Sequence, residues 1–334
     1  MSAPVEPRLL LQTGPFIQGG TTTPRLMVDV MLALVPTALA AVWFFGLGAL
    51  LVLGTTTAGA MLTERLLGSK KGSLSDASAA LTGVLIGLTL PPAFPLWMAF
   101  LGGVAGIGLG KLVFGGLGQN LFNPALVGRA FLQAAFPTAI TTWTTPAGPA
   151  GAFTLPASSL ALPFMHPVDV VSAATPLAQL KFSHVATPLE PLFLGGVAGS
   201  LGETSALLIL AGGIYLVVRR AFDWRIPTGI FLTVAVFAGI LWQIDAAHFP
   251  SPLFMLGSGG LMLGAIFMAT DPVTSPMSPK GAWIFAVGVG VLVVVIRVWG
   301  GLPEGVMYAI LLMNAVTPLI DRYTQPKPLG RRGA

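Results

Sequence analysis

Two stretches decide how this chain is read: Gly83-Val-Leu-Ile-Gly-Leu-Thr89-Leu-Pro91-Pro-Ala-Phe-Pro95 and Gly264-Ala-Ile-Phe-Met-Ala-Thr270-Asp-Pro272-Val-Thr-Ser-Pro276. They align position for position at an offset of 181 residues. Further on, Gly115-Gly116-Leu117 matches Gly300-Gly301-Leu302. In both stretches an apolar run stops early at Thr-x-Pro, because proline cannot continue a helix. The carbonyls freed by such a stop are tolerated at membrane depth only when they line a cavity or are buried in protein. The breaks at Pro91 and Pro272 therefore mark equivalent positions around a central site. Asp271 lies beside one break, where the other has Leu90. An acidic side chain there is costly unless paired.

The surroundings of these stretches are strongly apolar. Of 334 residues, 54% are hydrophobic and only 9% charged, whereas a soluble domain carries about a quarter charged residues. This excludes a soluble enzyme, a nucleic-acid binder and a disordered scaffold. At about 20 residues per span, the chain has room for about ten spans and one large loop. The apolar runs are 27–45, 47–62, 79–90, 96–114, 121–136, 204–218, 226–244, 253–270, 281–298 and 303–320. The expected fold is an all-α polytopic membrane protein of about ten transmembrane helices, arranged as two five-helix inverted repeats with a long outer loop. Because five is odd, the second half starts on the opposite side, as in many transport proteins. The expected divisions are an N-terminal segment (1–24), a first half (25–137), an outer loop (138–203), a second half (204–320) and a tail (321–334). No apolar core follows Met1, so no signal peptide is expected.

The net charge of +5 reads as an orientation signal. With the N-terminus inside, alternation places Arg8, Arg25, Arg65, Lys70, Lys71, Lys111, Arg219, Arg220, Arg225, Lys280, Arg322, Lys327, Arg331 and Arg332 on the cytoplasmic side. Only Lys181 falls on the other side, and Arg129 and Arg297 fall within spans. Basic residues favour the cytoplasmic face, so both termini are expected there and the Pro/Thr/Ser-rich loop outside. The absence of cysteine removes disulfides and cysteine-ligated metal centres. His166, His184 and His248 fit no metal spacing. Gly102, Gly106 and Gly110 put small residues on one helix face, the usual device for close helix packing.

The outer loop carries Asp169-Val-Val-Ser172-Ala173-Ala174-Thr175-Pro176. This resembles the flavinylation motif Asp-x-x-Ser/Thr-x-Ala-Thr. In that motif the final threonine hydroxyl attacks the pyrophosphate of FAD, AMP leaves, and FMN stays joined through a phosphoester. A transferase of the ApbE type supplies the catalysis and its magnesium. A second segment is Phe114-Gly-Gly-Leu-Gly-Gln-Asn120-Leu-Phe-Asn123-Pro124-Ala125-Leu-Val-Gly-Arg129. With Gly199-Ser-Leu-Gly-Glu203, Ala269-Thr-Asp271-Pro and Gly300-Gly-Leu-Pro-Glu304, the chain resembles the D subunit of the Rnf complex, from about Arg25 to Arg322. The B subunit of the sodium-pumping NADH:quinone oxidoreductase is homologous, but carries a longer N-terminal extension.

The resemblance implies a subunit of a bacterial inner-membrane translocase. Such a complex couples electron transfer between ferredoxin and NAD to movement of sodium ions or protons. Its partners would be the A, B, C, E and G subunits and the flavin transferase, with no nucleic acid. Thr175 would carry covalent FMN, with Asp169, Ser172 and Ala174 as the recognition motif. A non-covalent riboflavin is also implied, and Asn120 and Asn123 are the candidates to contact it, or else to cap a helix. Asp271 and Glu304 either lie on the ion path or brace the broken spans. Arg129 awaits an acidic partner or a flavin carbonyl. Topology alone fits a non-redox transporter or channel equally well.

Overall fold

The computed structural model describes residues 22–68, 73–146, 148, 156–163, 173–185, 187–246 and 248–325. The helices, in chain order, are α1 (Thr23–Phe45), α2 (Leu47–Leu67), α3 (Ser78–Leu88), α4 (Leu96–Ile107) and α5 (Pro124–Ala135). The short α6 (Pro137–Ile140), α7 (Pro176–Ser183) and α8 (Leu189–Leu194) follow. The chain continues with α9 (Ala206–Val218), α10 (Arg225–Ile244), α11 (Pro252–Gly257), α12 (Leu261–Leu263), α13 (Pro279–Trp299) and α14 (Val306–Thr324). Wider π-helical turns extend α4 over Gly108–Leu112 and α12 over Gly264–Met268. No strand occurs among the described residues.

Each of the ten apolar runs carries helix. Four helices, α1, α2, α10 and α13, are long and apolar enough to cross a membrane unaided. The others are shorter or interrupted. The fifth run becomes helical only at Pro124, because Gly115, Gly116 and Gly118 take positive φ and hold the preceding segment as a loop. The eighth run is broken between α11 and α12, where Gly259 has φ +65°.

One local rule starts four of these helices. Asn123-Pro124, Thr175-Pro176, Ser251-Pro252 and Ser278-Pro279 each place a side-chain acceptor at the N-cap and proline at the first turn. The acceptor satisfies a backbone N–H that lacks a helical partner, and proline removes another.

The packing repeats. In the first half α2 packs on α3 and α4, and α4 on α5; in the second, α10 packs on α11 and α13, and α13 on α14. Between halves, α1 meets α9 and α5 meets α14. Those are the first and the fifth spans of each half, the pairs that a two-fold exchange maps onto themselves. Asp29 of α1 is buried at the first of these contacts and accepts hydrogen bonds from Tyr215 of α9 (3.3 Å) and from Arg219 at its C-cap (3.1 Å).

The outer surface is that of a membrane protein. Val28, Leu32, Val35, Leu39 and Trp43 form an exposed stripe on α1, as do Leu232, Val236, Ile240 and Ile244 on α10. Their three- and four-residue spacing is one helix face, and a soluble monomer would not leave such contiguous faces open to water. Inside, glycines permit near contact: a Cβ on Gly106 would lie 3.0 Å from the Pro124 carbonyl, and one on Gly110 2.7 Å from the Pro124 Cα. The Gly102/Gly106/Gly110 face is thus the seat of α5, as the spacing implied.

Candidate functional site

Two clefts collect the polar groups. The first lies between the halves. Its walls are Leu81, Leu85, Ile266 and Phe267, and its polar lining is Ser78, Thr82, Lys111, Asn120, Asn123 and Asp271. The two asparagines differ sharply in what they have left to offer. Asn123 Oδ1 accepts from the Ala125 N–H at 2.9 Å, capping α5, and its Nδ2 donates to the Met268 carbonyl at 3.0 Å. Both ends of that amide are committed to structure. Asn120 donates through Nδ2 to the Phe122 carbonyl at 3.2 Å, but its buried Oδ1 has no partner. A buried acceptor left empty is costly, and one on a residue that lines a cleft suits a ligand N–H. The sequence could not divide these roles, although Asn before Pro124 was the cap signal.

Asp271 lines the same cleft and closes its own turn, accepting from the Val273 N–H and the Thr274 hydroxyl, both at 3.3 Å. On another wall Lys111 is buried. Its Nζ donates to Glu64 Oε1 at 2.5 Å and to Ser78 Oγ at 2.6 Å, and Ser78 in turn donates to Asp76 at 2.6 Å. The orientation count had Lys111 on the cytoplasmic side, within the run 96–114. On the π-helical turn at Gly108–Leu112 its side chain is enclosed against α2 and α3.

The second cleft gathers Thr175, Arg129, Gln133, Trp143, Glu203, Glu304 and Tyr308, with Leu177, Leu302 and Met307. Thr175 is the N-cap of α7, its Oγ1 accepting from the Ala178 N–H at 3.2 Å, and it is only 9% exposed. The preceding residue, Ala174, is exposed, and Ala173 donates to the Trp143 carbonyl at 2.7 Å. Asp169 and Ser172 lie outside the described residues.

Around this cleft the charged side chains hold the broken spans. Arg129 donates to the Thr89 carbonyl, one of those freed by the break at Pro91, and the neighbouring Leu90 carbonyl accepts from the Leu201 N–H at 3.0 Å. Arg297 holds a different break in the second half, the one between α11 and α12. It donates to the carbonyls of Met255 (2.6 Å) and Ser258 (2.9 Å) and to Glu304 Oε1 (3.3 Å). Glu304 Oε2 accepts from the Gly260 N–H at 3.0 Å. Glu304 therefore braces the break between α11 and α12. Glu203, beside it in the cleft, closes a capping box with Ser200. Its sequence signal was the spacing Ser-x-x-Glu. The described residues contain no cluster of three or more histidines and carboxylates able to hold a metal ion.

A family model described as the NQR2, RnfD, RnfE family matches residues 10–330. The chain belongs to that family. The relatives of this NQR2, RnfD, RnfE family member include the D subunit of the ion-translocating oxidoreductase complex of Stutzerimonas stutzeri, 46% identical over 93% of each chain. The D subunit of the proton-translocating ferredoxin:NAD(+) oxidoreductase complex of Clostridium ljungdahlii is 41% identical over 96% of each chain. The Na(+)-translocating counterpart of Acetobacterium woodii is 39% identical over 97% of this chain and 96% of its own. The resemblance drawn from the sequence motifs is thus shown, and the chain is a polytopic membrane protein of this family. Overall identity does not discriminate the ion, since proton- and sodium-named relatives match about equally well.

Proposed function

We propose that this chain is the flavin-bearing D subunit of an Rnf-type complex in a bacterial inner membrane, carrying FMN on Thr175. The observation that carries the reading is the position of Thr175. Its hydroxyl stands at the N-terminus of α7, beside a cleft that offers two aromatic rings, Trp143 and Tyr308, and the guanidinium of Arg129. A phosphoester there meets the positive end of the helix dipole. Aromatic and apolar walls suit a flat ring system, and Arg129 suits its carbonyl edge. The group fits the residues present. When bound, flavin supplies the redox chemistry, and the protein supplies position, electrostatics and exclusion of water.

The hydroxyl accepts from Ala178 and keeps its own proton, so it retains the group that a transferase of the ApbE type must use. At 9% exposure it is reachable only when residues 173–175 lift from the Trp143 carbonyl. Loading therefore precedes seating of the loop. The first cleft is the place for a non-covalent riboflavin. Asn120 Oδ1 would accept from its imide N–H, while Asn123 shapes the wall as a cap. Both termini are cytoplasmic and the Thr175 loop is outside in this reading. The A, B, C, E and G subunits complete the complex, and a sodium ion or proton is the cargo.

The B subunit of a sodium-pumping quinone reductase belongs to the same family. The D-subunit names of relatives covering nearly the whole chain favour the Rnf reading. The test is co-expression with the transferase, followed by denaturing gel fluorescence and mass spectrometry of the peptide containing Thr175. A fluorescent band, lost in Thr175→Ala and kept in Ala173→Gly at the variable position of the motif, is expected. A flavin-free wild-type peptide would overturn the reading and favour a non-redox transporter.

A further inference from the structure

Lys181 is the one basic residue that the orientation count leaves on the outer side, and the structure gives it a task. It lies on α7, six residues beyond Thr175, which is about 9 Å along the axis at 1.5 Å per residue. Its Nζ donates to the carbonyls of Arg297 (2.9 Å), Gly300 and Leu302 (3.0 Å). An ammonium has three protons, and here all three find carbonyls. Those carbonyls are at and just beyond the C-terminal end of α13, where helical carbonyls lack partners and the dipole is negative. Partial burial lowers the Lys181 pKa from its ordinary value. The charge is nevertheless held where the backbone is most electronegative.

The rest of α7 is weakly anchored. Eight residues do not make a stable helix alone. Its apolar contact is a small satellite cluster, Leu177 with Leu192 and Phe254, separate from the main core. At its N-terminal end, among the described residues, the backbone tie is the bond from Ala173 to Trp143. The same α13 terminus carries Arg297, which holds the break between α11 and α12. Lys181 thus joins the helix that bears Thr175 to the frame around that break.

We infer that Lys181 is a positioning residue for the Thr175 site: it latches α7 onto the end of α13 and so fixes where a group carried on Thr175 sits. This deepens the Thr175 reading and rests on it. Lysine is suited to the task because three carbonyls at different angles need a compact ammonium on a flexible stem rather than a planar fork.

The test uses the intact complex purified after co-expression with the transferase, comparing wild type with Lys181→Met and Lys181→Arg. Methionine keeps the apolar stem and removes the donors; arginine keeps charge and part of the bonding. Three quantities are read: the fraction of Thr175 peptide carrying FMN, the fluorescence anisotropy decay of the protein-bound FMN, and the rate of electron transfer through the complex. Loading should be unchanged in both variants. In Lys181→Met the decay should gain a fast component, and transfer should slow on the order of tenfold or more, since displacements of about 1 Å cost up to a hundredfold. Lys181→Arg should recover most of both. A merely structural cap would lower thermal stability and leave the decay of the bound flavin unmoved. Wild-type decay and transfer in Lys181→Met would overturn the latch. Absence of FMN from the wild-type Thr175 peptide would overturn the underlying reading instead. Should Lys181→Met fail to assemble, Lys181→Gln, which keeps an amide donor, gives the same comparison.

Discussion

Replacing Arg297 by methionine separates two roles for Glu304. Arg297 is 1% exposed at its side chain and supplies three hydrogen bonds, two to carbonyls at the break between α11 and α12 and one to Glu304. A bond from a charged donor is worth about 1.5–3 kcal/mol, so losing the two carbonyl bonds alone would cost about 3–6 kcal/mol. Methionine refills much of the volume, and Glu304 keeps its bond to the Gly260 N–H with 24% of its side chain in reach of solvent. The net loss expected for Arg297→Met is therefore about 3–5 kcal/mol, the range for breaking a buried pair. Glu304→Gln keeps one acceptor, which can stay on the Gly260 N–H, and turns its amide NH2 toward Arg297; losing that one accepting contact costs about 1–3 kcal/mol. Unfolding in detergent, followed by tryptophan fluorescence, measures both. Ion uptake by proteoliposomes of the complex is measured in parallel. A brace predicts that Glu304→Gln retains uptake and that its cost nearly vanishes in the Arg297→Met background. If Glu304→Gln abolishes uptake at unchanged stability, the carboxylate acts on the ion and the bracing argument fails. An Arg297→Met protein within about 1 kcal/mol of wild type would refute the energetics.

Two further comparisons use the same logic of paired sites. Gly103→Ala places a methyl 2.7 Å from the Ala60 nitrogen and closer still to the Thr56 carbonyl, both backbone of α2, whereas Gly54→Ala meets nothing within 4 Å. Overpacking costs about 1–3 kcal/mol and the helix propensity of alanine returns about 1 kcal/mol. Gly103→Ala should therefore destabilise the detergent-solubilised protein and Gly54→Ala should not; equal midpoints in a denaturant titration would contradict this packing. For the asparagines, Asn123→Ala should lower stability by about 1–2 kcal/mol through loss of a cap and of the bond to Met268. Asn120→Ala should leave stability intact while releasing non-covalent flavin, read as riboflavin retained per protein after gel filtration.

The sequence made the apolar runs and their number legible because composition and the need to satisfy backbone groups in lipid leave few alternatives. It also revealed the paired breaks, since Thr-x-Pro stops a helix wherever it occurs, and the cap at Asn123 before Pro124; the starts at Thr175, Ser251 and Ser278 follow the same rule but came from the structure. The interruption at Ser258–Gly260 was hidden inside a continuous apolar run, because nothing local distinguishes a glycine pair that bends from one that packs. The partners of Arg129, Lys111 and Arg297 were equally hidden. Each contacts groups brought close by folding: Lys111 meets Glu64 from α2, and Arg129 meets the carbonyl that ends α3. Thr175 was readable as a motif, but the cleft it opens on depends on how α5, α14 and the outer loop meet.

The placement of α5 has a mechanical consequence. From this one helix Arg129 closes the gap in its own half at Thr89, and Asn123, at its cap, closes the gap in the opposite half at Met268. Oriented by its partners, the Asn314 amide on α14 adds a bond to the Asn123 N–H at 3.1 Å. The first half is thereby stitched to the second at the second half's weakest point. Rocking one bundle against the other would have to break the Asn123 bond to the Met268 carbonyl and leave that carbonyl bare in a dry interior. The cap of one helix thus doubles as a clasp between the two bundles.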